Sequence, residues 1–364
     1  MPSVAPPVRY LFGPGPTQVE ARVYDAMAKP VVGYLDPYFF EVSNEIRRGL
    51  RSVYGTENQA TFAVPGTGSS GMETAVSNFV NAGERFLVFN NGFFSDRIIE
   101  MGRRHGADVR VLTKGWGETY TEAEAQAAID EHKPSVVAFV HAETSTGALQ
   151  QPELIARPAR AAGALVIADC VTSLGTVPIR VDASGIDIAY SCSQKGLSCP
   201  PGLSPFTASA RAMEKVKGRP NKVWYLDVNL IAAYYDEKKY HHTAPSTTHW
   251  ALFEWLAAIA DEGVENRFTR HQKAHEEFVR RIEAMGLSMH VAAGHRLPTL
   301  NTVRVPEGVD DAKVRTRLLA EHNIEVAGGF GPLAGKIFRI GLMGPLANEA
   351  GLDLFFKAFK ACLA

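Results

Sequence analysis

The chain has 364 residues, 46% of them hydrophobic and 21% charged, which is ordinary globular composition and long enough for two domains sharing a large core. Lys and Arg total 38 against 39 Asp and Glu, a formal net charge of -1, so no long-range field favours nucleic acid or an anionic membrane. Cys170, Cys192, Cys199 and Cys362 form no C-x-x-C pair and are too sparse for a disulfide scaffold; with no apolar leader and no long apolar run, the expectation is a soluble protein of the reducing cytoplasm.

In chain order, Pro2, Pro6, Pro7, Pro14 and Pro16 with Gly13 and Gly15 make residues 1–17 an extended arm. Its apolar residues Val8, Tyr10, Leu11 and Phe12 must lie on something, either their own chain or a partner's. From about 60 to 210, β-branched and aromatic runs at 61–64, 85–90, 135–140, 164–169, 187–191 and 203–208 predict strands separated by helices. One helix is expected to start at Thr121, where Thr-Glu-Ala-Glu has capping-box spacing, and to end near His132. Near-continuous apolar strands alternating with helices indicate an α/β fold with a mostly parallel, covered sheet. Beyond 262 the texture changes to a charged helix over 265–285, strands near 300–305 and 336–340, and a last helix over 349–363 with Leu352, Phe355, Phe356 and Phe359 in one stripe. The expected division is therefore an arm (1–17), a large domain (18–262) and a small C-terminal α+β domain (263–364).

Gly66-Thr67-Gly68-Ser69-Ser70-Gly71 has G-x-G-x-x-G spacing, follows a strand and opens a helix. A dinucleotide site would want an acidic residue at the end of the next strand, where Asn90 and Asn91 stand instead. The loop can still offer backbone N–H groups and the Thr67 and Ser69 hydroxyls to a single phosphate. The strand at 164–169 ends in Asp169, at the edge where open α/β sheets bind ligands; a protonated pyridine nitrogen is one partner that would keep such a carboxylate ionised. Lys195 follows the strand at 187–191 and reaches the same edge, where a lysine is costly unless its amine is used.

These residues stand in a pattern that resembles a known family. Asp169-x-Val171-x-Ser173-Leu174-Gly175, Ser191-x-Ser193-Gln194-Lys195-Gly196 and Pro200-Pro201-Gly202 are similar to the class-V, fold-type I aminotransferases that use pyridoxal 5'-phosphate (PLP). Gly13 to Pro16, His141-x-Glu143-x-Ser145-Thr146-Gly147, Tyr240 to Thr243, Arg296 to Thr299 and Arg339 to Leu342 extend the likeness nearly end to end. The resemblance implies a mostly parallel seven-stranded sheet and a homodimer with shared active sites. It implies transfer of an amino group from alanine or serine to glyoxylate or pyruvate by a ping-pong mechanism.

It also implies a role for each matching residue. Lys195 would hold PLP as a Schiff base and then move the substrate proton, with Asp169 on the ring nitrogen. Thr67, Gly68, Ser69 and Gln194 would bind the phosphate, Phe94 and Val171 would sandwich the ring, and Thr144 would lie near its phenolic oxygen and the substrate. Arg339 would grip the substrate carboxylate, Gly33 would line a small pocket, and Tyr240 and Thr243 would reach the neighbouring subunit's cofactor. Three positions depart from the family's usual residues: Ser69 replaces histidine, Phe94 tryptophan and Thr144 serine. Another class-V enzyme acting on aminoethylphosphonate or pyridoxamine, a lyase or desulfurase, a cofactor-binding protein and a nicotinamide dehydrogenase are the alternatives. His241, His242, His249, His271 and His275 have no H-E-x-x-H spacing, so no catalytic metal is expected, and His271 and His275 are expected on a solvated helix face.

Overall fold

The computed structural model describes residues 4–363. Its large sheet has seven strands: β1 (Ala60–Gly66), β2 (Arg85–Asn90), β3 (Asp108–Thr113), β4 (Val136–Val140), β5 (Leu165–Asp169), β6 (Ile188–Tyr190) and β7 (Gly202–Ala208). Their order across the sheet is β1-β7-β6-β5-β4-β2-β3. β3, β2, β4, β5 and β6 pair in parallel, and β7 runs antiparallel to both β6 and β1. Every residue of β4 and β5 is buried, which is why both read as unbroken apolar runs. The sequence pattern leaves β3 unmarked. It is one of the two edge strands, and its Asp108, Arg110 and Thr113 dilute the apolar signal that the buried strands carry.

The register fixes what meets at the carboxyl edge. Asp169, the last residue of β5, pairs with Tyr190 at the end of β6 and with Val140 at the end of β4. The segments that leave these strands, 141–144, 170–173 and 191–195, therefore start side by side.

A second core holds Phe278, Phe338, Leu352, Phe355, Phe356 and Phe359, so the expected C-terminal stripe is buried as a unit. It is built on a three-stranded antiparallel sheet, β8 (Leu300–Arg304), β9 (Ala327–Gly328) and β10 (Ile337–Gly341), with β10 central. The helices Val264–Ala284 and Glu349–Leu363 contribute Phe278 and Phe355, whose rings lie 5.8 Å apart. Pro2 lies outside the described residues; from Tyr10 the arm packs on its own chain, where Tyr10 and Leu11 pair in parallel with Ile324 and Glu325 and Phe12 is fully buried 5.4 Å from the Phe355 ring, whereas Val8 is 80% exposed. Among the described residues, no helix is long and apolar enough to cross a membrane.

One expectation is overturned. His271 and His275 are buried, because they share a stripe with Arg267, Phe268, Ala274, Phe278 and Ile282 along one face of their helix. His271 accepts from the Gly344 amide at 3.1 Å and its Nδ1 lies 2.8 Å from the Arg267 carbonyl, while His275 meets the Asn301 amide oxygen at 2.7 Å. Burial holds both imidazoles below the ordinary histidine range, so they act as neutral packing groups.

Candidate active site

Lys195 lies in the segment between β6 and β7, and backbone contacts hold that segment in place. The Ser193 amide donates to Leu203 O at 2.9 Å and its hydroxyl to Pro200 O at 2.7 Å. Arg267 donates to Gly196 O at 2.9 Å, and the arm closes over the loop as Thr17 donates its hydroxyl to Lys195 O at 2.9 Å. Gly15 makes that approach possible: at φ +118°, a Cβ there would stand 2.9 Å from Lys195 Cγ. The lysine side chain is 8% exposed, and its Nζ donates to Thr144 Oγ1 at 2.9 Å and to Thr172 Oγ1 at 3.1 Å. Burial lowers its pKa, which favours the neutral, nucleophilic amine.

Asp169 is buried on the same edge. Its two carboxyl oxygens accept from the Val171 amide and the Tyr190 hydroxyl, each at 2.9 Å. Burial still pushes its pKa up, with those two bonds, Lys195 and Arg97 opposing. A cationic ring nitrogen is the kind of partner that would keep this carboxylate charged.

The other residues that the resemblance assigns to the cofactor also converge here. The Lys195 amine sits 5.3 Å from the Phe94 ring centroid. Val171 closes against Gly68, where a Cβ would lie 2.9 Å from Val171 Cγ2. Gly68 opens the helix Gly68–Phe79; the Thr67 and Ser69 side chains at its start are exposed, and neither hydroxyl has a hydrogen-bond partner among the described residues. The Gln194 side-chain oxygen is buried with no partner, so this amide is also uncommitted. An amine, an aromatic face, a buried carboxylate and unpaired donors at a helix N-terminus suit a phosphorylated, cationic aromatic aldehyde.

Arg339 comes from β10, in the other core. It is 3% exposed and donates to Gly328 O at 2.7 Å and Thr144 O at 3.3 Å. It makes no ion pair among the described residues, and burial brings its pKa down to about 10. A buried guanidinium with no ion pair among the described residues has the charge and the donors that suit a carboxylate.

Thus Lys195, Asp169, Val171, Phe94, Thr144, Gln194, Arg339 and the 67–69 loop lie around one site. Gly33, Tyr240 and Thr243 do not join it within one chain. Gly33 faces open space, and Tyr240 is 58% exposed with its ring 5.1 Å from that of Tyr34. Three contributors were missed from sequence: Thr172, Tyr190 and Glu143. Tyr190 could have been found by aligning the ends of neighbouring strands, since it faces Asp169 in register. Glu143 is fully buried, accepts from the Ser145 hydroxyl at 2.6 Å and the Phe94 amide at 3.2 Å, and is raised by burial to about 7.

Comparison with known proteins agrees with this geometry. The aminotransferase class-V family model matches residues 9–332. The chain is 36% identical to the alanine–glyoxylate aminotransferase of Callithrix jacchus over 98% of this chain and 88% of that protein. It is 35% identical to the (S)-ureidoglycine–glyoxylate transaminase of Bacillus subtilis over 98% and 91%. The crystal structure of an alanine–glyoxylate aminotransferase from a Nostoc species superposes with a TM-score of 0.98 at 48% identity, covering 100% of this chain and 97% of that one. Buried lysine, paired strand ends and overall likeness lead to one conclusion: the chain belongs to the class-V aminotransferases, fold-type I enzymes that depend on pyridoxal 5'-phosphate.

Proposed function

We propose that this aminotransferase takes the amino group of a small amino acid, alanine or serine, and delivers it to glyoxylate or pyruvate. The observation that carries the reading is the double use of Thr144, whose hydroxyl accepts from the Lys195 amine while its carbonyl accepts from Arg339. An α-amino acid carries its amino and carboxylate groups on one carbon, and this arrangement sets an amine-handling group and a carboxylate receptor on either side of one residue. The relatives named above, with glyoxylate in each of their names, support the choice of acceptor.

Bound PLP supplies the electron sink that stabilises negative charge at the substrate Cα. In this reading Asp169, held by Val171 and Tyr190, keeps the ring nitrogen protonated. Arg339 orients the carboxylate so that the Cα–H bond faces Lys195. Lys195 Nζ removes the Cα proton of the donor in one half-reaction and returns a proton to Cα of the acceptor in the other. The Thr67 and Ser69 hydroxyls and the Gln194 amide hold the phosphate. Tyr240, which stands beside Tyr34, and the exposed Thr243 reach the phosphate of a neighbouring subunit in a homodimer, and Gly33 lines the pocket on that side. The unpaired buried cysteines support a reducing cytoplasmic setting.

The test is an initial-rate panel with L-alanine, L-serine, aminoethylphosphonate and pyridoxamine as donors against glyoxylate and pyruvate. Parallel-line kinetics are expected for alanine with glyoxylate and for serine with either acceptor. Turnover confined to aminoethylphosphonate or pyridoxamine would overturn the substrate assignment.

A further inference from the structure

Gly328-Gly329-Phe330-Gly331, where the chain leaves β9, has one side chain beyond hydrogen in four residues. Its glycines are needed where they stand. A Cβ on Gly329 would come within 1.9 Å of Leu333 O, and Gly331 adopts φ +46° with the Trp116 ring 3.3 Å from where its Cβ would be. The backbone so fixed carries Phe330 over Arg339, with the guanidinium carbon 4.0 Å from the ring centroid. The same ring lies 5.2 Å from that of Phe93, the residue before Phe94. Phe330 is 39% exposed and Arg339 only 3%, so the phenyl ring forms the outer cover of the guanidinium.

A guanidinium bonded at Nε and Nη1 to two carbonyls and stacked on one face leaves its remaining N–H groups in its own plane. A carboxylate then meets it edge-on, as bidentate recognition requires. We infer that Phe330 is a specificity-determining and positioning residue: it holds the plane of Arg339 for the substrate carboxylate and, with Phe93, walls the entrance against long or branched side chains. The inference rests on the substrate reading above and sharpens it, since it names the residues that would favour the short side chains of alanine and serine. Phe330 acts on the substrate's carboxylate through Arg339, and on its side chain directly.

The experiment uses PLP-loaded wild type, Phe330→Ala and Phe330→Leu. Propionate, a carboxylate without an amine, is titrated against the visible absorbance of the bound cofactor, and kcat and KM are measured for L-alanine and L-leucine. Both variants are expected to bind propionate roughly 3- to 10-fold more weakly and to raise KM for alanine more than they lower kcat. Only Phe330→Ala should shift the kcat/KM ratio toward leucine, because leucine at 330 still fills the wall. Wild-type propionate affinity in both variants would overturn the positioning role, and an unchanged alanine-to-leucine ratio in Phe330→Ala would overturn the wall. If the wild type turns over neither donor, the substrate reading fails, while the propionate titration still decides whether Phe330 orients Arg339. The partial exposure of Phe330 means that truncation empties no sealed core.

Discussion

Burial acts in opposite directions on the two ionisable groups at the centre of the site, lowering Lys195 and raising Asp169. Both residues were legible in the sequence because each follows or ends a strand of the same sheet, so position alone placed them together. Thr172 was not, since its role depends on how the turn after Asp169 folds back: its hydroxyl meets both Lys195 Nζ and Thr144 Oγ1. Thr172→Val keeps the shape and removes one partner of the amine, which is expected to slow the alanine half-reaction about 10-fold, equivalent to about 1.4 kcal/mol, at similar cofactor occupancy. Stopped-flow absorbance checks this; an unchanged rate contradicts the role. Glu143 makes a pH prediction. Raised from 4.5 to about 7, it keeps in the folded chain a proton that the unfolded chain has lost, so stability falls as pH rises through that window. Melting temperatures of wild type and Glu143→Gln between about pH 5 and pH 7 are expected to show a shallower fall in the variant.

Among the elements, those with a cap or an unbroken apolar run were readable nearly to the residue. The helix Glu122–His132 begins as its capping box requires, with Glu124 N bonded to Thr121 Oγ1 at 3.3 Å and Thr121 N to the Glu124 carboxylate at 2.8 Å. Thr121→Ala is expected to cost about 1 kcal/mol in urea denaturation, with no change in turnover because the helix lies outside the set of groups around Lys195. β3 and the helix Val264–Ala284 show where reading by element fails. The edge strand mixes polar and apolar residues as a surface turn would, and polar His271 and His275 fall on the same stripe as Phe278. Period alone says which residues share a face; what that face packs against depends on the tertiary fold.

Across the whole molecule, the large sheet supplies Lys195 and Asp169, while Arg339 arrives from the second core; the arm crosses from Phe12 in that core to Thr17 on the Lys195 loop. The change of texture near residue 262 was visible in sequence. The meeting of Arg339 with Thr144, 195 residues apart, follows from no local pattern and was implied only by the family resemblance. Phe12→Ala should loosen the arm, with a loss of about 3–5 kcal/mol in denaturant unfolding and weaker cofactor retention on dialysis. The central claim is that Lys195 carries an amino-group transfer between small substrates. Its most direct test is to add L-alanine alone to PLP-loaded protein and follow the visible absorbance of the lysine-bound cofactor together with the pyruvate released. The account predicts one pyruvate per site as the band fades, its return with glyoxylate, and neither the band nor pyruvate in Lys195→Ala; an intact band under alanine and serine, or wild-type turnover in Lys195→Ala, would contradict it.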